Sequence, residues 1–257
     1  MEFSKYHGAG NDFVIIDDRE ASFDLNDQAL IAHLCDRHFG IGADGLMLLR
    51  KHDRHDFEMV YFNADGAPSS MCGNGGRCLV AFAHRLGVIG DQTTFLAVDG
   101  VHHAEVLSAE RIKLAMNDVE EILKPDDEGL LIDTGSPHYL LRRAGIEKLD
   151  VFHEGRRIRN REEFRADGVN VNFLERKGDQ VFIRTYERGV ENETLACGTG
   201  VTAAALAMAY WEQMDSPVHL KAVGGDLTVS FERTSHGFNH IWKTGPVKHV
   251  FDGTYLG

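Results

Sequence analysis

The feature that most constrains this chain of 257 residues is a glycine-framed cysteine that occurs twice. The first lies in Met71-Cys72-Gly73-Asn74-Gly75-Gly76-Arg77, the second in Ala196-Cys197-Gly198-Thr199-Gly200-Val201-Thr202. Each follows a segment with strand character and precedes an apolar or alanine-rich run, residues 78–86 and 201–211. The pattern predicts a thiol at the N-terminus of each of two helices. There the dipole and the unpaired backbone N–H groups favour a thiolate, and a thiol pKa can fall from about 8.5 into the range ~3.5–7.5. The two cysteines stand roughly half a chain length apart in matching contexts, which predicts a repeated half carrying one thiol each.

The rest of the chain reads as the same order of elements twice. Strands are expected over residues 3–7, 13–17, 46–49 and 57–63, a helix near Leu30, Ile31, Leu34 and Cys35, then the first cysteine helix and strands over 93–98, 101–107 and 112–116. Gly8-Ala9-Gly10 reads as a tight turn with Asn11 just beyond it, and Asp99-Gly100 as a hairpin turn. From Gly129 the order restarts, with strands over 130–133, 138–141, 168–174 and 180–187, helical and loop material between 146 and 163, the second cysteine helix, and strands over 218–223, 227–231 and 238–242. Turns are expected at Lys177-Gly178-Asp179 and Gly224-Gly225-Asp226. The pattern is ββαββαβββ in each half. An acidic linker around Pro125 separates them, and a terminal strand over 247–255 returns to the first half. The expected domains are residues 1–118 with 246–257, and residues 119–245.

Composition narrows the function. A net charge of −13 argues against a nucleic-acid surface, which needs basic patches. Four cysteines are too few for a disulfide scaffold, and no spacing of Cys and His suggests a zinc site. No signal segment and no apolar run near ~18 residues appear, so a soluble, cytoplasmic protein without membrane contact is expected. Cys35 and Cys78 fall within apolar helical stretches and read as core residues.

Two thiols at helix starts suit proton exchange at a carbon beside a carboxylate. A thiolate removes the α-proton from one face, and a thiol returns a proton to the other, inverting the centre. The backbone N–H groups of Gly73-Asn74 and Gly198-Thr199 would hold the developing negative charge. The residues alone leave two alternatives open: a thiol–disulfide cycle, and burial of both cysteines for structural reasons.

Several motifs bear on this choice. Lys5-Tyr6-His7-Gly8-Ala9-Gly10-Asn11-Asp12-Phe13, Arg37-His38-Phe39-Gly40-Ile41-Gly42-Ala43-Asp44-Gly45, Phe62-Asn63-Ala64-Asp65-Gly66, Cys72-Gly73-Asn74-Gly75-Gly76-Arg77-Cys78, Val169-Asn170-Val171-Asn172-Phe173, and Tyr186-Glu187-Arg188-Gly189 with Ala196-Cys197-Gly198-Thr199-Gly200 resemble the signatures of diaminopimelate epimerases. The resemblance runs through almost the whole chain in the right order.

The resemblance implies an α/β (α+β) fold of two pseudo-twofold-related domains. Each would be a curled, mainly antiparallel sheet around a central helix, with the active site in the cleft between them. It implies a cofactor-independent isomerase, needing neither pyridoxal phosphate nor metal, that interconverts LL- and meso-2,6-diaminopimelate for lysine and peptidoglycan synthesis. Cys72 and Cys197 would be the acid–base pair of a homodimer's subunit. Substrate contacts would fall on Asn11, Asn63, Gly73, Asn74, Asn170, Glu187, Arg188, Gly198 and Thr199. Arg188 suits a forked hydrogen bond to the distal carboxylate and Glu187 the distal ammonium. His138 and Glu187 are candidates for tuning the thiols. Two positions depart from the commonest pattern: some family members carry glutamine at Gly45, and many carry asparagine at Ser136. Racemases of the proline type carry histidine where this chain has Asn74.

Overall fold

A computed structural model describes every residue except Pro125, so that residue of the expected linker lies outside the described residues. The chain divides into two compact units, Met1–Leu114 with Gly245–Gly257, and Ala115–Thr244.

The first unit opens with a hairpin, β1 (Glu2–Gly8) and β2 (Asn11–Asp17). Ala9 and Gly10 both have positive φ at its tip, as a two-residue turn between twisted strands requires. Helix α1 (Gln28–Cys35), capped by the Asp27 side chain on the Leu30 N–H, crosses to β3 (Gly45–Arg50), parallel to β2. A hairpin leads to β4 (Phe57–Asn63), and α2 (Gly73–Arg85) crosses to β5 (Gln92–Ala97), parallel to β4. Strands β6 (Gly100–Ser108) and β7 (Arg111–Ala115) follow as an antiparallel meander. The C-terminal strand β16 (Lys248–Thr254) pairs antiparallel with β1, returning the tail to the first half.

Strand β3 is buried almost throughout because both faces are covered. Leu46 and Leu48 pack with Ile31, Leu34 and Cys35 of α1. Met47 faces α2 so closely that a Cβ on Gly75 would meet its Cε. Helix α2 is buried from Asn74 to Ala83, as expected of a central helix, and Cys35 and Cys78 are both core.

The second unit repeats this order. Strands β8 (Gly129–Asp133) and β9 (Pro137–Arg142) form a hairpin, and α3 (Val151–Arg159) crosses to β10 (Asn170–Lys177), parallel to β9. Strand β11 (Gln180–Glu187) returns antiparallel, carrying the short strand β12 (Asn192–Thr194) on its edge. Helix α4 (Gly198–Glu212) then crosses to β13 (Val218–Ala222), parallel to β11. Strands β14 (Gly225–Arg233) and β15 (Phe238–Pro246) complete the unit. Helix α4 is apolar all round and buried from Gly200 to Ala209.

Three turns sit slightly differently from expectation. Ala97 pairs with Gly100, Lys177 with Gln180 and Ala222 with Gly225, so the turn residues are Val98-Asp99, Gly178-Asp179 and Val223-Gly224. Gly100 and Gly225 instead begin their strands at φ +128° and +148°, conformations that L side chains rarely adopt. Strand β12 was absent from the sequence expectation, because three polar residues give no alternation to read.

Candidate active site

Each central helix begins at a cysteine. Cys72 is the N-cap of α2 and Cys197 the N-cap of α4, both with extended backbone (φ −103°, ψ 118° and φ −91°, ψ 116°) and neither helix with a side-chain cap hydrogen bond. Their surroundings differ.

Cys72 is half-buried, with Sγ 3.5 Å from Asn11 Oδ1. Asn11 stands at the first position of β2, where the positive-φ turn delivers it, and its Nδ2 donates to Asp44 at 2.6 Å. Asp44 is in turn bridged by Arg37 to Asp12, which also pairs with Lys5 at 2.7 Å. Hydrogen bonds from Arg37 and Lys5 outweigh burial and hold the Asp12 carboxyl far below its usual range. The Asn11 amide is therefore anchored by a fixed charge network. Asn74 is buried in the first turn of α2, its Nδ2 3.5 Å from the same Asn11 oxygen. Asn63 is exposed at the end of β4, directly across from Gly45.

Cys197 is only 8% exposed. Burial, and next the negative charge of Glu187, push its thiol up to about 12; the Thr199 hydroxyl, 3.4 Å from Sγ, opposes this. The expectation that a helix start lowers the thiol pKa thus fails here on balance, because desolvation of a buried thiolate outweighs a terminal dipole. Glu187 ends β11. Its carboxylate accepts from Thr194 Oγ1 at 2.7 Å and lies close enough for its charge to act on the Cys197 thiol, while burial raises its own pKa.

His138, on β9, lies beneath this thiol. Its Nε2 meets Thr199 Oγ1 at 2.9 Å, and that hydroxyl is 3.4 Å from Cys197 Sγ. Its Nδ1 faces Asn172 Nδ2 at 3.1 Å, and Asn172 Oδ1 accepts from Thr185 Oγ1 at 2.9 Å. Burial pushes the imidazole down to about 3, so it is neutral at pH 7. Asn172, Thr185 and Thr134, whose hydroxyl donates to the Thr199 carbonyl at 3.0 Å, had no role in the sequence expectation. The available signal was polar residues alternating with valine in a strand, Asn170 and Asn172, which marks a buried polar face.

Asn170 Oδ1 accepts from the Arg188 backbone N–H at 2.9 Å, and its Nδ2 donates to Ser136 Oγ at 2.9 Å and to the Pro137 carbonyl at 3.0 Å. Arg188 donates from Nη1 to the Asp167 carbonyl at 2.8 Å, with Nη2 3.4 Å from Ser136 Oγ. Within the second unit the structure thus joins Cys197, Thr199, Glu187 and His138 in one cluster and Asn170, Arg188 and Ser136 in another. Within the first unit it joins Cys72, Asn74 and Asn11.

A family model described as diaminopimelate epimerase matches residues 3–120 and 130–250. The chain belongs to the diaminopimelate epimerase family. It is 47% identical over 256 residues to the diaminopimelate epimerase of Flavobacterium psychrophilum, covering 99% of this chain and 100% of that one. The Chlorobaculum tepidum and Aquifex aeolicus diaminopimelate epimerases are 44% and 39% identical, covering 96% and 98% of this chain and 98% and 97% of theirs. Two solved structures share the fold. A Bacillus anthracis phenazine biosynthesis protein of the PhzF family has a TM-score of 0.74 at 14% identity, covering 100% of this chain and 99% of that one. A probable proline racemase from Agrobacterium radiobacter scores 0.69 at 16%, covering 99% and 92%.

At Gly45 and Ser136, where the sequence reading expects a departure from the commonest pattern, the structure accommodates both residues. A Cβ at Gly45 would lie 2.6 Å from the Tyr61 ring and from the Phe62 carbonyl oxygen, so the neighbouring ring fills the space a larger residue would need. Ser136 Oγ still meets Asn170 and Arg188. Among the described residues no group of three or more His, Cys, Asp or Glu is arranged for a metal ion, and no helix is long and apolar enough to cross a membrane.

Proposed function

We propose that this chain interconverts LL- and meso-2,6-diaminopimelate, without a cofactor, using Cys72 and Cys197 as the proton-transferring pair. The observation that carries the reading is a cysteine at the uncapped start of the central helix in each repeated half, in a chain whose family acts on this substrate. The two thiols serve opposite faces of one α-carbon.

In one direction Glu187 accepts the Cys197 proton and the thiolate removes the α-hydrogen, while the Cys72 thiol donates to the opposite face. The reverse direction exchanges the roles. A carboxylate whose pKa is raised toward the working pH is the better partner for this transfer, and burial moves Glu187 that way. Neutral His138, through Thr199, fixes the hydroxyl beside Cys197 without adding a charge that would trap the thiolate. The N–H groups of Gly73-Asn74 and Gly198-Thr199 hold the reacting carboxylate as negative charge grows on it. Arg188, Asn170, Asn11 and Asn63 take the amino-acid group that does not react. Such a hydrogen-bonding site rejects analogues lacking that group by large factors.

The reading carries with it a cytoplasmic setting, supported by a sequence with only four cysteines, and a homodimer, supported by family resemblance. The test is α-carbon inversion and deuterium uptake in D2O with diaminopimelate, proline and glutamate in parallel. Only diaminopimelate should turn over, and inversion should vanish in Cys72→Ala and in Cys197→Ala. Inversion at the parental rate in either variant ends the two-thiol mechanism.

A further inference from the structure

Arg77 lies within α2, one turn after its start, and is fully buried. Stripping a guanidinium of water is unfavourable unless an anion answers it. Here no carboxylate does so among the described residues: the titratable groups whose charge acts on Arg77 are two thiols, Cys72 and Cys78. Its Nη1 donates to the Gly73 carbonyl at 3.1 Å and its Nη2 to Asn74 Oδ1 at 2.8 Å, while Nε has no partner among the described residues. Gly245 makes the room: a Cβ there would stand 2.9 Å from the guanidinium carbon.

The remaining charged groups on elements packed against α2 are engaged elsewhere. Lys5 and Asp12, on β1 and β2, pair with each other, and Asp12 also with Arg37. Arg50 of β3 pairs with Asp18, and Glu105 of β6 with Lys113. Tyr6 of β1 lies near Arg85 at the other end of the helix, and His7 beside it buries its Nδ1 without a hydrogen bond. Cys78 is buried deep in the helix, and desolvation pushes its thiol well above the ordinary range, so it remains protonated. Cys72 is the titratable group left for Arg77 to answer.

We propose that Arg77 is the built-in counter-charge of Cys72, a positioning residue that favours the Cys72 thiolate and fixes the Asn74 amide at the helix start. Arginine has only donors, so Asn74 must turn its oxygen to Arg77. Its NH2 group is thereby aimed at Asn11 Oδ1, the atom that also faces Cys72 Sγ. The two thiols then differ in kind: Cys72 is matched by a buried cation, Cys197 by a buried carboxylate. This deepens the proposed function and rests on it.

The experiment follows thiol ionisation directly, apart from turnover. In the parent protein, NMR titration of cysteine labelled with 13C at Cβ should show Cys72 half-ionised below about 8.5, the ordinary value for cysteine. Alkylation of Cys72 against pH, mapped by mass spectrometry, should shift upward by at least about one unit in Arg77→Met, the effect of losing a nearby opposite charge. Arg77→Lys, which restores the charge, should lie between the two and nearer the parent. A superimposable Arg77→Met profile, or a parent midpoint at or above about 8.5, overturns the proposal. Should Arg77→Met fail to fold, the parent titration decides. Diaminopimelate turnover by the parent is measured separately, so its absence beside a shifted profile would sink the proposed reaction and leave the role of Arg77 standing.

Discussion

Replacing Glu187 by glutamine separates the ionisation of Cys197 from its use. The Cys197 thiol is pushed up to about 12, first by burial and next by the Glu187 charge. A thiol of that pKa is ionised in only about one molecule in 10⁵ at pH 7. Glutamine keeps the shape of the side chain, removes the charge and brings an NH2 that can donate to sulfur. Removing a negative neighbour favours the thiolate, so the midpoint must fall, by roughly one to three units for groups in contact. Each unit multiplies the thiolate by ten but makes each thiolate about threefold less nucleophilic, since reactivity follows basicity with a slope of about 0.4–0.5. Reaction with an aromatic disulfide at pH 7 should therefore quicken by about 3-fold to about 40-fold in all. The assay uses a Cys72→Ala background, with labelling at Cys197 assigned by mass spectrometry. Epimerisation by the single variant should move the other way and fall at least about 100-fold, because the proton acceptor is gone. Unchanged or slower labelling would refute the electrostatic argument, and undiminished turnover would remove Glu187 from the proton path.

Three further outcomes follow from the same geometry. Gly200→Ala places a Cβ 2.7 Å from Asn172 Oδ1 and 3.2 Å from His138 Cε1; overpacking of about 1–3 kcal/mol should exceed the helix gain of at most ~1 kcal/mol, so thermal unfolding should come earlier, and a rise in Tm would contradict the packing. Arg188→Lys gives up the planar fork, and should raise the KM for diaminopimelate about 10-fold or more with a smaller change in kcat; a loss confined to kcat would count against a binding role. His138 is neutral when folded, with its pKa pushed from 6.5 down to about 3. The unfolded chain takes up a proton that the folded one refuses, so this contribution is intact above about pH 6.5 and is lost as pH falls toward 3, by about 1.4 kcal/mol per unit. Urea titrations at pH 7, 5 and 4 should show a shallower decline in His138→Gln, and parallel curves would show that the buried ring is not what fails in acid.

The order of elements could be read from the chain because each half alternates short apolar strands with two helices of distinct character. Residues such as Val201, Ala203, Ala204 and Leu206, spread around the axis, show a helix apolar on every side, and only burial at the centre of a unit accommodates that. The cysteines at the helix starts were legible from local pattern too, since glycine follows both and an apolar run begins within a few residues. What Cys197 experiences was not legible. A helix start is a local property, whereas desolvation by surrounding strands and the approach of Glu187 from β11 are tertiary facts. Arg77 was hidden in the same way: within its motif it reads as one more helical residue, and only the packing reveals a guanidinium without a carboxylate among the described residues. Strand β12 escaped because its pairing with β11 comes from the turn that joins them, and its own three side chains carry no pattern.

Neither of the two buried helices is closed off by the residue at its head. Serine or aspartate there would hydrogen-bond the next turn and add about 1 kcal/mol of stability, and cysteine does not. Each unit therefore carries one helix end without a side-chain cap, where the proposed reaction would seat a carboxylate. The protein should become harder to unfold as it fills with substrate, and simple anions in the buffer should compete weakly for the same openings. Its resting state is, in this sense, a folded protein whose two central helices begin without a side-chain cap.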